Sequence, residues 1–203
     1  MTQATNTTVV TFYEEYGAGA TYVAPRVAER LGVPYVTQRF TSDQIEAAEV
    51  HEEHEGLLDR FFRSFTPVAE PDASITWATD ALPDSDTVAE NTQGVLDSVR
   101  DGGVILGRSA TVILATQPGT LHVKLTGPVD ERIARAAADA GIDLEAAARR
   151  QEREDRVRVE MSKHFYRWDP DSHEYFDLVL NTGSFTLDEA VDVVVAAYRV
   201  RFP

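Results

Sequence analysis

A chain of 203 residues with 43% hydrophobic residues is long enough for one good-sized core, so a single domain over 1–203 is the expectation. Its formal net charge of −15 argues against a nucleic-acid partner held on a general basic surface. The chain has no cysteine, which excludes disulfides, cysteine zinc sites and a thiol nucleophile. No apolar run approaches the ~18 residues of a membrane span, and the first eight residues lack the basic and apolar regions of a signal peptide. The expectation is a cytoplasmic protein with no membrane partner.

In chain order, the β-branched and aromatic run Val9 to Tyr13 reads as a buried strand. A turn with Gly17 and Gly19 follows, then a helix marked by Val23, Val27, Ala28 and Leu31 and closed by Gly32. Strand, glycine turn and helix can hold a phosphate, because free N–H groups at the helix N-terminus point at the anion. The full phosphate-loop pattern is G-x-x-x-x-G-K-[ST]. Here Ala20 follows Gly19 where the pattern has Lys, so a plain tight turn is the competing reading.

Residues 33–37 read as a second strand, and Thr41-Ser42-Asp43 caps a helix over 43–64. Val50, His54, Leu57, Phe61 and Phe65 form an apolar stripe on it, which packs on the sheet or meets a second copy of the chain. His51 and His54 are three apart with no third ligand evident, so a solvated helical face is preferred to a metal site. Residues 65–86 form a long irregular connection, anchored by Trp77. Thr87 to Glu90 reads as a capping box for a helix to about Arg100.

Val104 to Leu106 suits a central parallel strand, and Gly107-Arg108-Ser109 leads into a helix over 109–116. A strand over 121–126 and helices over 128–140 and 143–166 follow, the last capped by Asp143. A final strand spans 176–180, and a second capping box, Thr186 to Glu189, opens helix 187–200. Strands alternating with helices argue for an α/β parallel sheet covered on both faces. Ligands on such sheets lie beyond the carboxyl ends of the strands. Gly17 to Thr21, Arg39 and Gly107-Arg108 all fall there.

Positive charge is almost entirely arginine, and Arg132, 135, 149, 150, 153, 156, 158 and 167 crowd one segment. Guanidinium forks match phosphate oxygens, yet pairing with Glu152, Glu154, Asp155 and Glu160 along the helix accounts equally for the cluster. At 100° per residue Arg149, Arg153 and Arg156 share one face and Arg158 lies nearly opposite. Either the helix breaks or one face pairs with carboxylates.

The chain resembles the cytidylate kinase-like branch of the P-loop nucleoside monophosphate kinases. The resemblance runs in order through Glu15-Tyr16-Gly17-Ala18-Gly19, Leu31-Gly32-Val33-Pro34-Tyr35 and Val104 to Leu114. It continues through Asp130-Glu131-Arg132-Ile133-Ala134-Arg135, Asp155 with Arg158, and Tyr175 to Thr182. It implies a three-layer P-loop NTPase-type parallel sheet flanked by helices, with an acceptor-side arm at 41–86 and a lid-like helix at 143–168. It also implies transfer of the γ-phosphoryl of ATP, with Mg²⁺, to a nucleoside monophosphate such as CMP, so the partner is a small nucleotide.

On that basis the backbone of Gly17, Ala18, Gly19, Ala20 and Thr21 cradles the donor phosphates. Arg39 and Asp155 join the nucleotide-binding set, and Arg108 meets the acceptor phosphate or base. Arg132, Arg153 and Arg158 neutralise charge during transfer, and no metal-ligating residue is assigned. Three departures stand out: Ala20 replaces the Lys, the Mg²⁺-side hydroxyl position is read as Tyr22 with Thr21 one place early, and Ser109 stands where a carboxylate follows the Gly-Arg pair. Loss of preorganised charge like that of the Lys is commonly worth ~3 kcal/mol, about 100-fold in rate. A non-catalytic nucleotide-binding protein and a dimeric scaffold are therefore alternatives. A hydride-transfer dinucleotide fold is not, because the third glycine and the ribose-binding acid are missing.

Overall fold

The computed structural model of the chain describes residues 7–37, 85–107 and 109–203, excepting the side chains of 85–87 and 90. The expected helix 43–64 with its stripe and His51/His54, the 65–86 connection, Arg39 and Arg108 lie outside the described residues.

Among the described residues, five strands form one all-parallel sheet in the order β2-β3-β1-β4-β5. They are β1 (Val9–Glu14), β2 (Tyr35–Val36), β3 (Gly103–Leu106), β4 (Thr120–Thr126) and β5 (Leu178–Asn181). The helices are α1 (Ala20–Leu31), α2 (Ser85–Ser98), α3 (Ala110–Ile113), α4 (Val129–Ala140), α5 (Leu144–Tyr166) and α6 (Leu187–Arg201). No described helix is long and apolar enough to cross a membrane.

Side chains alternate across the central strand, so Val9 and Val10 serve different cores. Val10 and Phe12 pack with Val104, Leu106, Val123 and Leu125 against α1 and α6. Val9 and Ile105 pack on the opposite face against Val95 of α2, Val99 just after it, and Leu114. Each fully buried Val or Leu side chain contributes about 1.5–3 kcal/mol, and α6 brings Val191, Val194 and Val195 to the larger cluster.

β4 alternates apolar and polar residues although both its faces are buried, and His122, Lys124 and Thr126 are partnered. His122 Nδ1 is 2.8 Å from Thr11 Oγ1, which lies 3.3 Å from Thr111 Oγ1. Lys124 Nζ donates to the Pro170 carbonyl at 3.0 Å and meets Glu15 at 3.2 Å.

Three boundaries differ from expectation. α2 begins at Ser85, so Thr87 lies inside it instead of capping it. α3 is only four residues long, because after Leu114 the chain turns through Pro118 and Gly119 into β4. β5 starts at Leu178, after a 3₁₀ turn over His173–Tyr175 that sets Phe176 beside Tyr13 and Trp168. The second capping box is present: Thr186 Oγ1 accepts from the Glu189 N–H, and Glu189 Oε2 accepts from the Thr186 N–H at 2.8 Å.

Two measurements check this packing. Thr186→Ala removes one half of that box and should cost about 1 kcal/mol of unfolding free energy in urea titration. Burial holds the His122 imidazole below its ordinary pKa, against the pull of Asp177. The unfolded chain then binds the proton first as pH falls through about 6.5, so acid destabilises the fold through this residue. His122→Gln should therefore lose less stability between pH 7.5 and 5.5 than the native chain does. Equal losses would contradict the assignment.

Candidate functional site

The carboxyl edge of the sheet gathers the β1–α1 loop, Gly107 after β3, Thr126-Gly127 after β4 and Asn181-Thr182 after β5. The loop folds tightly, with the Ala18 N–H donating to the Glu15 carbonyl at 2.9 Å. Gly17 and Gly19 have φ of 78° and 90°, a region costly for any residue with a Cβ. Space forbids a side chain there as well. A Cβ on Gly17 would collide with the Arg132 carbonyl, and one on Gly19 would lie 2.6 Å from Leu187 Cδ2. The glycines thus let α4 and α6 close on the loop, a role that needs no ligand.

Gly19 is the N-cap of α1 and Ala20 its first residue. In G-K-[ST] the hydroxyl residue directly follows the Lys. Counted on that pattern from Gly19 and Ala20, the next residue is Thr21, which is exposed. The Tyr22 hydroxyl is engaged elsewhere, donating to Asp188 at 2.8 Å.

Carboxylates of the chain itself occupy two loop N–H groups. Asp155 Oδ1, from α5, accepts from the Tyr16 N–H at 2.6 Å. Glu14 Oε2, at the end of β1, accepts from the Ala20 N–H at 2.9 Å. The N–H groups of Gly17, Gly19 and Thr21 make no hydrogen bond among the described residues.

The arginines hold this arrangement. Arg132 is buried and spends its donors on the Tyr16 carbonyl (2.9 Å), the Gly127 carbonyl (3.0 Å) and Asp155 (2.9 Å), with Glu15 at 3.4 Å. Arg135 donates to the Gly17 carbonyl at 2.6 Å and the Thr182 carbonyl at 3.0 Å. Arg158 pairs with Glu154 at 2.9 Å and lies 3.9 Å from Glu14. Burial opposes the charge on Arg158, but Glu14 and Glu154 outweigh it and keep the guanidinium firmly protonated. Glu14 answers in the other direction: burial lifts its carboxyl above the usual range, against the downward pulls of Arg158 and the Ala20 N–H. Glu154 is fully buried, and its Oε1 has no hydrogen-bond partner among the described residues.

α5 runs unbroken for 23 residues, so the arginine geometry is settled by pairing along the helix. Arg149 meets Glu145 at 2.7 Å on the exposed side, and Arg156 is exposed. Arg158 turns inward to the loop, where it meets Glu14. The structure thus brings Gly17 to Thr21, Arg132, Asp155 and Arg158 together. Arg153 sits half-buried on α5.

Sequence reasoning missed Glu14, Glu15, Lys124, Arg135 and Glu154 as parts of this site. Glu14 carried a signal. Counting five residues back from Gly19 reaches the place where the pattern has its first glycine, and Glu14 is there. Glu154, four residues before Arg158, carried an ordinary helical-pair signal.

Comparison with known proteins gives this geometry its family. The Cytidylate kinase-like family matches residues 9–184. A cytidylate kinase of Methanopyrus kandleri is 28% identical over 190 residues, covering 89% of this chain and 88% of that protein. A protein of Corynebacterium glutamicum named uronate isomerase is 38% identical over 146 residues, 72% of this chain. The match spans only 28% of that longer protein's length. Among solved structures, an uncharacterized protein from Eubacterium ventriosum superposes with a TM-score of 0.68 at 19% identity, over 96% of this chain and 99% of that one. A gluconokinase from Sinorhizobium meliloti gives 0.52 at 14% identity, over 95% and 92%. These last two likenesses show the fold, a P-loop kinase-type sheet. With the family matched across most of its length, the chain belongs to the cytidylate kinase-like family.

Proposed function

We propose that this nucleotide kinase-like protein binds nucleoside phosphates on the β1–α1 loop and transfers the γ-phosphoryl of ATP to a cytidylate-like acceptor. One observation carries the reading: a glycine loop at the carboxyl edge of the central strand, closed over by inward-facing arginines, in a chain matched by the family from residue 9 to 184. The N–H groups of Gly17, Gly19 and Thr21, unbonded among the described residues, suit phosphate oxygens. Residues 41–86 serve as the acceptor-side arm, with Arg108 on the acceptor and Arg39 in the nucleotide-binding set, and 143–168 as the lid.

Phosphoryl transfer is mostly positioning and charge stabilisation. With no Lys at position 20, that charge has to come from arginine. Arg158 is the best placed, being 3.9 Å from a carboxylate that itself sits on the loop. Arg132 and Asp155 position the loop, and Arg153 adds charge from α5. Mg²⁺ keeps much of its water and binds mainly through substrate phosphates, so it needs no protein cage. Among the described residues no group of three or more His, Asp or Glu is placed to hold a metal, and the exposed Thr21 hydroxyl is the residue suited to touch Mg²⁺. The ion would neutralise phosphate charge there.

A second reading keeps the ligand and loses the transfer. Ala20 and the Glu14 carboxylate on the Ala20 N–H favour it. Thermal unfolding with ATP, CMP, dCMP, AMP, UMP and GMP, with and without Mg²⁺, followed by an ADP-formation assay, separates the two. Ligand at a hundred times its Kd adds about 2.7 kcal/mol, several degrees in Tm. A shift with ATP and CMP plus ADP formation is the expected result. A shift without turnover supports the binding protein, and no shift with any nucleotide refutes both. Thr21→Val, on an exposed side chain, should change stability by less than about 0.5 kcal/mol and remove the Mg²⁺-dependent part of the ATP shift. An unchanged Mg²⁺ effect would place the ion elsewhere.

A further inference from the structure

We propose that Glu14 is an internal anion seated in the loop's own phosphate position, so that a phosphate-bearing ligand binds only by displacing it. This rests on the reading that the β1–α1 loop takes a phosphate.

Three observations carry it. Glu14 stands where the phosphate-loop pattern begins with glycine, five residues before Gly19, so the chain adds a long carboxylate where the pattern has no side chain. Its Oε2 accepts the N–H of Ala20, the first residue of α1, at 2.9 Å. That donor belongs to the helix N-terminus, the part of such a loop that receives anions. Its other oxygen lies 3.9 Å from Arg158, whose NH1 also reaches the Glu14 carbonyl at 3.4 Å. A helix N-terminus on one side and a guanidinium on the other is the environment of a bound phosphate group, and a carboxylate already fills it.

The residue is buried, so the contact is not a chance surface pairing. Glu154 completes the picture. It keeps Arg158 compensated at 2.9 Å whether or not Glu14 is present, so Glu14 is not required to neutralise that arginine. Displacing Glu14 frees the Ala20 N–H and one side of Arg158 together, both on the incoming phosphate. The affinity seen is the intrinsic affinity scaled by the fraction of molecules in which the seat is open.

The test is calorimetric titration of inorganic pyrophosphate and of ATP into the full chain and into Glu14→Ala. If the seat is open in a tenth of molecules or fewer, removing the carboxylate tightens both ligands by about tenfold or more. Equal or weaker binding by the variant, with measurable binding by the native chain, overturns the proposal and leaves the phosphate-site reading standing. No binding of either ligand by either protein overturns both. Glu14→Gln keeps the volume and removes the charge. It gives the same readout if the alanine variant does not fold, with tightening expected and unchanged affinity again refuting. In the native chain, the ¹³C resonance of the Glu14 carboxyl should move on pyrophosphate saturation. A stationary resonance with pyrophosphate bound overturns the displacement.

Discussion

The guanidinium of Arg132 fixes the edge of the sheet on which everything else at this site depends. It is buried, and it ties four pieces of chain at once: the loop through the Tyr16 carbonyl, the end of β4 through the Gly127 carbonyl, the end of β1 through Glu15, and α5 through Asp155. A buried cation is tolerated only when its donors are answered, and removing one partner of such a set typically costs 3–5 kcal/mol. Its backbone carbonyl is also the atom a Cβ at position 17 would strike. The same residue therefore dictates a glycine in the loop and holds the loop in place. Asp155 passes the constraint on, taking the Tyr16 N–H with one oxygen and Arg132 with the other.

A second set of charges is layered on this frame, and here the balance is closer. Glu14 is buried, which costs a carboxylate several kcal/mol before compensation. Against that stand one charge-assisted hydrogen bond from Ala20, worth about 1.5–3 kcal/mol, and Arg158 at 3.9 Å. Burial still prevails in the titration of Glu14, whose carboxyl is held above its usual range. Arg158 serves two carboxylates with one charge, and Glu154 Oε1 is left without a hydrogen-bond partner among the described residues. The Arg132 set is thus saturated, whereas the Glu14–Arg158 set has a member whose exchange for another anion costs least. Rigid frame and exchangeable anion share one loop.

The alternation of strands and helices, the carboxyl-edge location and the cap at Thr186 were legible because each rests on local periodicity or on a short motif. Val10 and Phe12 alternate with Val9 and Thr11, and Thr186 and Glu189 stand three apart; neither depends on distant chain. What was not legible depends on contacts far apart in sequence. Arg132, Asp155 and Arg158 could be grouped by the family pattern, but not assigned their partners. Whether an arginine faces a carboxylate or a ligand is decided by which helix face meets the loop, and Tyr16 and Asp155 are 139 residues apart. The glycines were readable as a turn after β1, but the atoms that occupy the space beside them, the Arg132 carbonyl and Leu187, were not. Polar residues inside β4 were equally hidden, since His122 and Lys124 find their partners on β1, on Glu15 and near Pro170.

The near absence of lysine bears on the chemistry. A P-loop lysine is a point charge on a flexible stem and can follow a phosphoryl group as it moves. Arginine offers a planar fork whose directions are set by what it already holds. In this chain Arg132 and Arg135 are committed to backbone carbonyls, so their geometry is spent on the shape of the loop. Arg158 holds carboxylates, which are chemical analogues of phosphate oxygens, and a fork that binds one anion presents the right directions to the next. The positive charge beside the loop therefore sits on α5, at Arg158, and not on the first turn of α1, where position 20 is alanine. Binding of an anion in general needs only complementary charge at rest. Phosphoryl transfer asks more, because it rests on charge held in place around the transferring group.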